Sequence, residues 1–249
     1  MSIVNLHHGD SLPVMRTLPD RAFDLAIVDP PYGVDGNCNR KGRHKGKLAY
    51  LNRQYHDALW DQEPPSQEYF DQLFRISRHQ IIWGINYFES IRNLQIGPGR
   101  IVWDKCNQGT SYSDCEIAYC STIESVRLFR YMWNGMMQGR SIGEGHIKNG
   151  DAKTQNEIRI HPTQKPKKLY SYLLQNFAKP GWTIFDSHAG SGTLLRAALD
   201  LEFDVEAYEI DPVYYADNKR ELDRYKAQVK VPLTIVRSEQ MVIDFANTG

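Results

Sequence analysis

Residues 29–33 read Asp29-Pro30-Pro31-Tyr32-Gly33 and follow directly on the strand-like run Asp24-Leu25-Ala26-Ile27-Val28. A carboxylate, two rigid prolines and an aromatic ring thus stand at the carboxyl end of a buried strand, where open α/β sheets place their chemistry. Neither proline donates an N–H, so the carbonyls before them are left to accept hydrogen bonds from another molecule. Asp29 adds acceptor oxygens and Tyr32 a flat face. Such a turn suits a planar molecule held by an exocyclic NH2 group. Asp-Pro and Pro-Pro pairs are also ordinary turn punctuation, so the reading depends on a second block far downstream.

That block is Thr183-Ile184-Phe185-Asp186-Ser187-His188-Ala189-Gly190-Ser191-Gly192-Thr193. An apolar strand runs into a Gly/Ser-rich turn and then into the helical segment Leu194-Leu195-Arg196-Ala197-Ala198-Leu199. A further strand, Asp204-Val205-Glu206-Ala207-Tyr208, ends in Glu209-Ile210-Asp211-Pro212. Glycines permit close backbone approach, and an acidic residue about 20 positions on can accept from ribose hydroxyls. The complete Gly-x-Gly-x-x-Gly spacing for a pyrophosphate is absent. The turn therefore reads as a nucleoside site without phosphates.

Together with His161-Pro162-Thr163-Gln164-Lys165-Pro166, these blocks resemble the signature motifs of the DNA amino-methyltransferases. The catalytic block precedes the cofactor block, as in the permuted beta-class S-adenosylmethionine-dependent DNA adenine-N6 methyltransferases. Gly9-Asp10, Ile82-Trp83-Gly84-Ile85-Asn86 and Val102-Trp103-Asp104-Lys105 are smaller echoes of the same family. The resemblance covers nearly the whole chain. One departure stands out: His188 occupies a position where the family usually carries Phe.

The resemblance implies S-adenosylmethionine as cofactor and double-stranded DNA as partner, with the target base flipped out of the helix at a cost of a few kcal/mol. Asp29, Pro30, Pro31 and Tyr32 would form the catalytic turn. Asp29 and the Pro30 carbonyl would hold the amine hydrogens, and Tyr32 would stack on the base. The cofactor would lie against Asp186, His188, Ala189, Gly190, Ser191, Gly192 and Thr193, with Ala189, Gly190 and Gly192 approaching through backbone. Glu209 would accept from the ribose, with Asp211 as its fallback. Asp10 would hold the adenine amino group, and Thr163 and Lys165 would flank the methionine carboxylate. An Asp at the head of the tetrapeptide resembles adenine-N6 enzymes more than cytosine-N4 ones. Cytosine-N4 methylation, methylation of RNA or of a protein amide, and a non-catalytic DNA-binding role stay open. So do a paired restriction endonuclease and a homodimer.

Thirty basic and thirty acidic residues cancel over 249 residues, so whole-chain charge carries no nucleic-acid signal. Its distribution does. No acidic residue falls between Gly36 and His56, whereas Arg40, Lys41, Arg43, Lys45, Lys47 and Arg53 do, with Tyr50 and Tyr55 among them. A basic run directly after Gly33 must hang over the Asp29 pocket, which favours phosphate contact over a merely solvated face. Residues 34–62 are therefore expected as a DNA-contacting loop. A second basic stretch, with Lys148, Lys153, Arg159, Lys165, Lys167 and Lys168 diluted only by Asp151 and Glu157, overlaps residues 131–160, expected as a short target-recognition segment.

The elements that must position these groups alternate between strand and helix. Strands are predicted near 3–7, 24–28, 80–83, 100–103, 117–120, 183–185, 205–208 and 233–237. Helices are predicted near 67–77, 167–177, 194–201 and 212–229. Such alternation gives a single α/β domain over 1–249, a doubly wound Rossmann-like sheet; the family comparison sets it at about seven strands with one antiparallel. A hydrophobic content of 41% and the absence of any apolar run of about 18 residues exclude a membrane span. The N-terminus enters a strand at once, without the look of a signal peptide. Cys38, Cys106, Cys115 and Cys120 lack Cys-x-x-Cys spacing, so no metal site and reduced thiols are expected. A cytoplasmic, nucleoid-associated enzyme is the resulting expectation.

Overall fold

A computed structural model describes residues 2–33, 63–108, 113–134, 137–139, 157 and 164–230. The basic run at 34–62, Thr163, His161, most of 131–160 and the expected strand at 233–237 lie outside the described residues.

The strands are β1 (Val4–His8), β2 (Phe23–Val28), β3 (Ser77–Trp83), β4 (Arg100–Asp104), β5 (Cys115–Cys120), β6 (Val126–Arg130), β7 (Met132–Asn134), β8 (Met137–Gly139), β9 (Thr183–Asp186) and β10 (Asp204–Glu209). The helices are α1 (Ser11–Thr17), α2 (Gln67–Ile76), α3 (Lys167–Phe177), α4 (Thr193–Leu201) and α5 (Pro212–Lys230). Eight strands form one sheet in the order β1-β10-β9-β2-β3-β5-β4-β6, and β7 and β8 form a separate hairpin. From β1 to β3 all neighbours are parallel, and β5 runs antiparallel between β3 and β4. The expected Rossmann-like plan with one antiparallel strand is present, with β6 added parallel to β4 at the edge.

A sheet covered on both faces needs strands without polar alternation, and β2 has that character, its last four residues all buried. Leu25 and Ile27 join a core with Leu169, Leu173, Leu174 and Phe177 of α3 and Leu194, Leu195, Ala197 and Ala198 of α4. Ala26 and Val28 face the other way, onto Phe70, Leu73 and Ile76 of α2 and Met15 of α1. Burying a leucine side chain fully is favourable by about 2 kcal/mol, so the apolar row of α3 outweighs the weak capping of its N-terminus. Pro166 offers no side-chain cap. The Glu157 carboxylate supplies one, accepting from the Lys167 N–H at 2.9 and 3.0 Å.

The parallel strands all end at one edge of the sheet. Asp10 follows β1, Glu209 ends β10, Asp186 ends β9, Asp29 follows β2 and Gly84 follows β3. The antiparallel β5 starts at that edge, so Glu116 arrives there from the opposite direction, and Lys105 follows the end of β4. Between β9 and β2 the strand order reverses, which is where an open α/β sheet opens a crevice for ligands.

Candidate active site

Asp29 stands on the β2 side of that crevice with its carboxylate 18% exposed. The Tyr32 hydroxyl donates to its Oδ1 at 2.7 Å. The Lys165 ammonium, from the segment leading into α3, donates to Oδ2. Lys165 is 3% exposed and also donates to the Tyr32 oxygen at 3.2 Å and to Glu116 at 3.0 Å. An ammonium has three protons, so these three acceptors saturate it. Lys165 was expected at the cofactor's methionine carboxylate; in the structure its donors meet Asp29 and Tyr32 of the turn after β2, and Glu116 of β5.

Tyr32 is fixed at both ends. Its ring stacks on Tyr87 at 4.9 Å between centroids and 13° between planes, with the edge of Phe88 at 6.0 Å. A close approach by Gly84 permits this: a Cβ there would lie 2.2 Å from Tyr32 Cε1, and its φ of +71° is in the left-handed region. One face of Tyr32, expected free for stacking, is thus covered by Tyr87, which is itself 42% exposed.

Electrostatics separate the two carboxylates around Lys165. Burial pushes the Asp29 carboxyl above the usual range, with Lys165 pulling it down and the Glu116 charge adding to the rise. For Glu116, burial acts upward, but Lys165 and Lys105 together outweigh it and hold the group at about 2. Lys165 stays protonated because Asp29 and Glu116 overcome the cost of its burial.

On the β9 side, Asp186 is 4% exposed. Its Oδ1 accepts the His188 backbone N–H at 3.0 Å, and among the described residues no lysine or arginine pairs with it. Burial raises it to about 8, with the charges of Asp29 and Glu209 adding to the rise. His188 is held through Nδ1 by Ser187 Oγ at 2.8 Å, and Ser187 in turn meets the Tyr69 hydroxyl at 2.6 Å. Burial lowers the imidazole to about 4, so it is neutral at pH 7.

Glu209 ties two turns together, its carboxylate accepting from the Gly190 N–H at 2.7 Å and the Asp211 N–H at 2.9 Å. Asp211 caps α5 through the Val213 and Tyr214 N–H groups, and Asp10 caps α1 through the Leu12 N–H. Ser191, Gly192 and Thr193 were expected to face the cofactor. In the structure they meet groups of the chain itself. The hydroxyls of Ser191 and Thr193 are buried 2.7 Å apart, with Arg196 of α4 bonded to the Ser191 carbonyl and the Thr193 hydroxyl. Gly192 turns toward Asn218 of α5, whose Oδ1 a Cβ would meet at 1.8 Å.

Asp29, with Tyr32 and Lys165 bonded to it, and Asp186, His188, Ala189, Gly190, Glu209 and Asp10, which end or follow β9, β10 and β1, therefore stand at the same edge of the sheet. Glu116, Lys105, Tyr87 and Asn218 were not singled out as site residues from the sequence. Lys105 did fall in a motif echo, and an acid inside the otherwise apolar strand Cys115-Glu116-Ile117-Ala118-Tyr119-Cys120 was the available signal for Glu116. No group of three or more His, Cys, Asp or Glu suited to a metal occurs among the described residues. Among them, too, no helix is long and apolar enough to cross a membrane.

The fold is a Rossmann-like α/β sheet, and its turns carry sequence blocks that resemble those of the DNA amino-methyltransferases in permuted order. Comparison with known proteins agrees. A family model of the N6/N4 type, described as DNA methylase, matches residues 138–220. The chain is 25% identical over 218 residues to the type II methyltransferase M.HinfI of Haemophilus influenzae, a match covering 74% of this chain and 58% of that protein's length. Among solved structures, the M1.HpyAVI–SAM complex is similar at a TM-score of 0.52 and 17% identity, over 88% of this chain and 100% of that one. The cytosine-N4-specific PvuII DNA methyltransferase is similar at 0.53 and 13%, over 92% and 93%.

Proposed function

We propose that this chain transfers a methyl group from S-adenosylmethionine to the exocyclic N6 of an adenine flipped out of double-stranded DNA. The observation that carries the reading is the Asp29 turn facing the Asp186–Gly190 turn across the point where strand order reverses.

The residues present fit the cofactor. Asp186 is a buried carboxyl with no cation among the described residues, a suitable partner for the methionine ammonium. Glu209, at the end of β10, has two oxygens already bound to backbone, yet a carboxylate offers about four acceptor positions, leaving room for a ribose hydroxyl. Asp10 keeps one oxygen outside its cap for the adenine amine. When bound, S-adenosylmethionine supplies an electrophilic methyl carbon on a sulfonium.

The chain's own residues orient the acceptor. The amine of adenine is a poor nucleophile because its lone pair is delocalised into the ring. Asp29 and the Pro30 carbonyl take its two hydrogens, which favours a pyramidal nitrogen and aims the lone pair across the crevice. Lys165 and Tyr32 hold Asp29 in place. The basic run at 34–62 supplies phosphate contacts, and a paired endonuclease and a second copy of the chain are compatible partners.

Adenine is preferred on the Asp that leads the tetrapeptide. Cytosine-N4 is the second reading, because the fold is similar to that of the PvuII DNA methyltransferase, which is cytosine-N4-specific. Mass analysis of nucleosides from duplex DNA incubated with the protein and methyl-labelled S-adenosylmethionine tests both. N6-methyladenine is expected; N4-methylcytosine as sole product sinks the adenine choice, and no labelled base sinks the function. An Asp29→Ala variant is expected to lose at least about 100-fold in turnover, the scale of removing a positioned group.

A further inference from the structure

Two carboxylates share the Lys165 ammonium, and only one of them lies in the amine-binding turn. Lys165 meets Asp29 on one side and Glu116 Oε2, at 3.0 Å, on the other. Glu116 Oε1 is in turn held by Lys105 at 2.5 Å. The result is an alternating row, Asp29–Lys165–Glu116–Lys105, drawn from the ends of β2, the lead into α3, β5 and β4. Lys165 has no further proton to give, so whatever Glu116 draws from it is withheld from Asp29.

We propose that Glu116 is a positioning residue of the methyl-accepting pocket, which anchors Lys165 from the far side and thereby keeps Asp29 a strong acceptor for the amine. The inference rests on the amine-methylation reading above. Without Glu116, Lys165 neutralises Asp29 alone, in a tight pair that competes with the amine for the same oxygens. The groups facing Asp29 are Tyr32 from its own turn, Tyr69 of α2, Lys165, Tyr170 of α3, Glu116 of β5 and Asp186 at the end of β9. Of the two carboxylates on Lys165, Glu116 is held ionised and Asp29 is the more basic, so their environments give them separate roles.

The test compares pH–rate profiles of wild type, Glu116→Gln, Glu116→Asp and Lys105→Met on duplex DNA, beside carbon-13 NMR titration of the Asp29 carboxyl. Glu116→Gln removes a negative charge that raises Asp29, so the Asp29 titration and the acid limb of kcat are expected to move down by about one pH unit. At neutral pH kcat falls about tenfold, with KM for DNA and cofactor affinity within about twofold. Glu116→Asp restores the position of the limb. Lys105→Met leaves Glu116 to bind Lys165 more strongly and moves the limb the other way; it also serves if Glu116→Gln fails to fold. An Asp29 titration unmoved in both charge variants overturns the inference, and so does a fall in kcat with no displacement of the limb. A wild-type protein that methylates no base defeats the functional reading instead, while the NMR titration still decides the coupling.

Discussion

At the scale of single residues, the protonation of Asp186 sets how the free protein responds to pH. Burial holds this carboxyl at about 8, far above its ordinary value near 4. The folded state therefore keeps a proton across that interval which the unfolded chain has released. Stability falls as pH rises from about 4 to about 8, by at most about 1.4 kcal/mol per unit, and levels off above. Replacing Asp186 with Asn is expected to remove that slope from thermal melts recorded against pH. A bound ammonium favours the anion, so wild-type affinity for S-adenosylmethionine should climb with pH through the same window, as calorimetry can show. Unchanged melting slopes in the Asn variant would mean that Asp186 is already ionised in the free protein.

At the scale of elements, the glycine turn after β9 depends on α5 reaching back to it. Asn218 is fully buried, its amide 3.4 Å from the Gly190 carbonyl and its other atoms filling the space beside Gly192. Gly192 sits at φ +65°, so Gly192→Ala combines a left-handed alanine with a clash against a buried side chain. A loss of about 2–4 kcal/mol in denaturant unfolding is expected. Adding Asn218→Gly removes the clash and leaves about 1 kcal/mol of backbone cost; a double variant no better than the single would place the cost elsewhere. This dependence marks the limit of what sequence shows. The glycine turn and the Asp29 turn were legible because each is a local pattern of strand, breaker and acid. The partners Asn218 and Glu116 arrive from elements 26 and 49 positions away from Gly192 and Lys165 and leave no local period. Strand β6 was passed over because Val126 and Leu128 remain largely exposed on it, so its pattern does not announce a buried face. Helix α1 is only seven residues long and carries Pro13 in its first turn, where a proline is tolerated but reads as a breaker.

At the scale of the whole molecule, charge arrangement has to substitute for charge excess. Thirty acidic residues cancel thirty basic ones, so the chain as a whole does not attract a polyanion. The proposed function then requires a local patch, and the run carrying Arg40, Lys41, Arg43, Lys45, Lys47 and Arg53 is the one that follows the Asp29–Gly33 turn in sequence. Phosphate contacts release condensed counterions, so the logarithm of affinity falls by about 0.9 per contact for each tenfold rise in salt. Replacing Arg40, Lys41 and Arg43 together by Ser should flatten that dependence by up to about 2.7, measured by fluorescence anisotropy of a labelled duplex between about 50 and 200 mM salt. Cofactor affinity should not change, because none of these three residues is among those proposed to hold the cofactor. A salt dependence as steep as that of the wild type would move the DNA contact to the second basic stretch, around Lys148, Lys153 and Arg159.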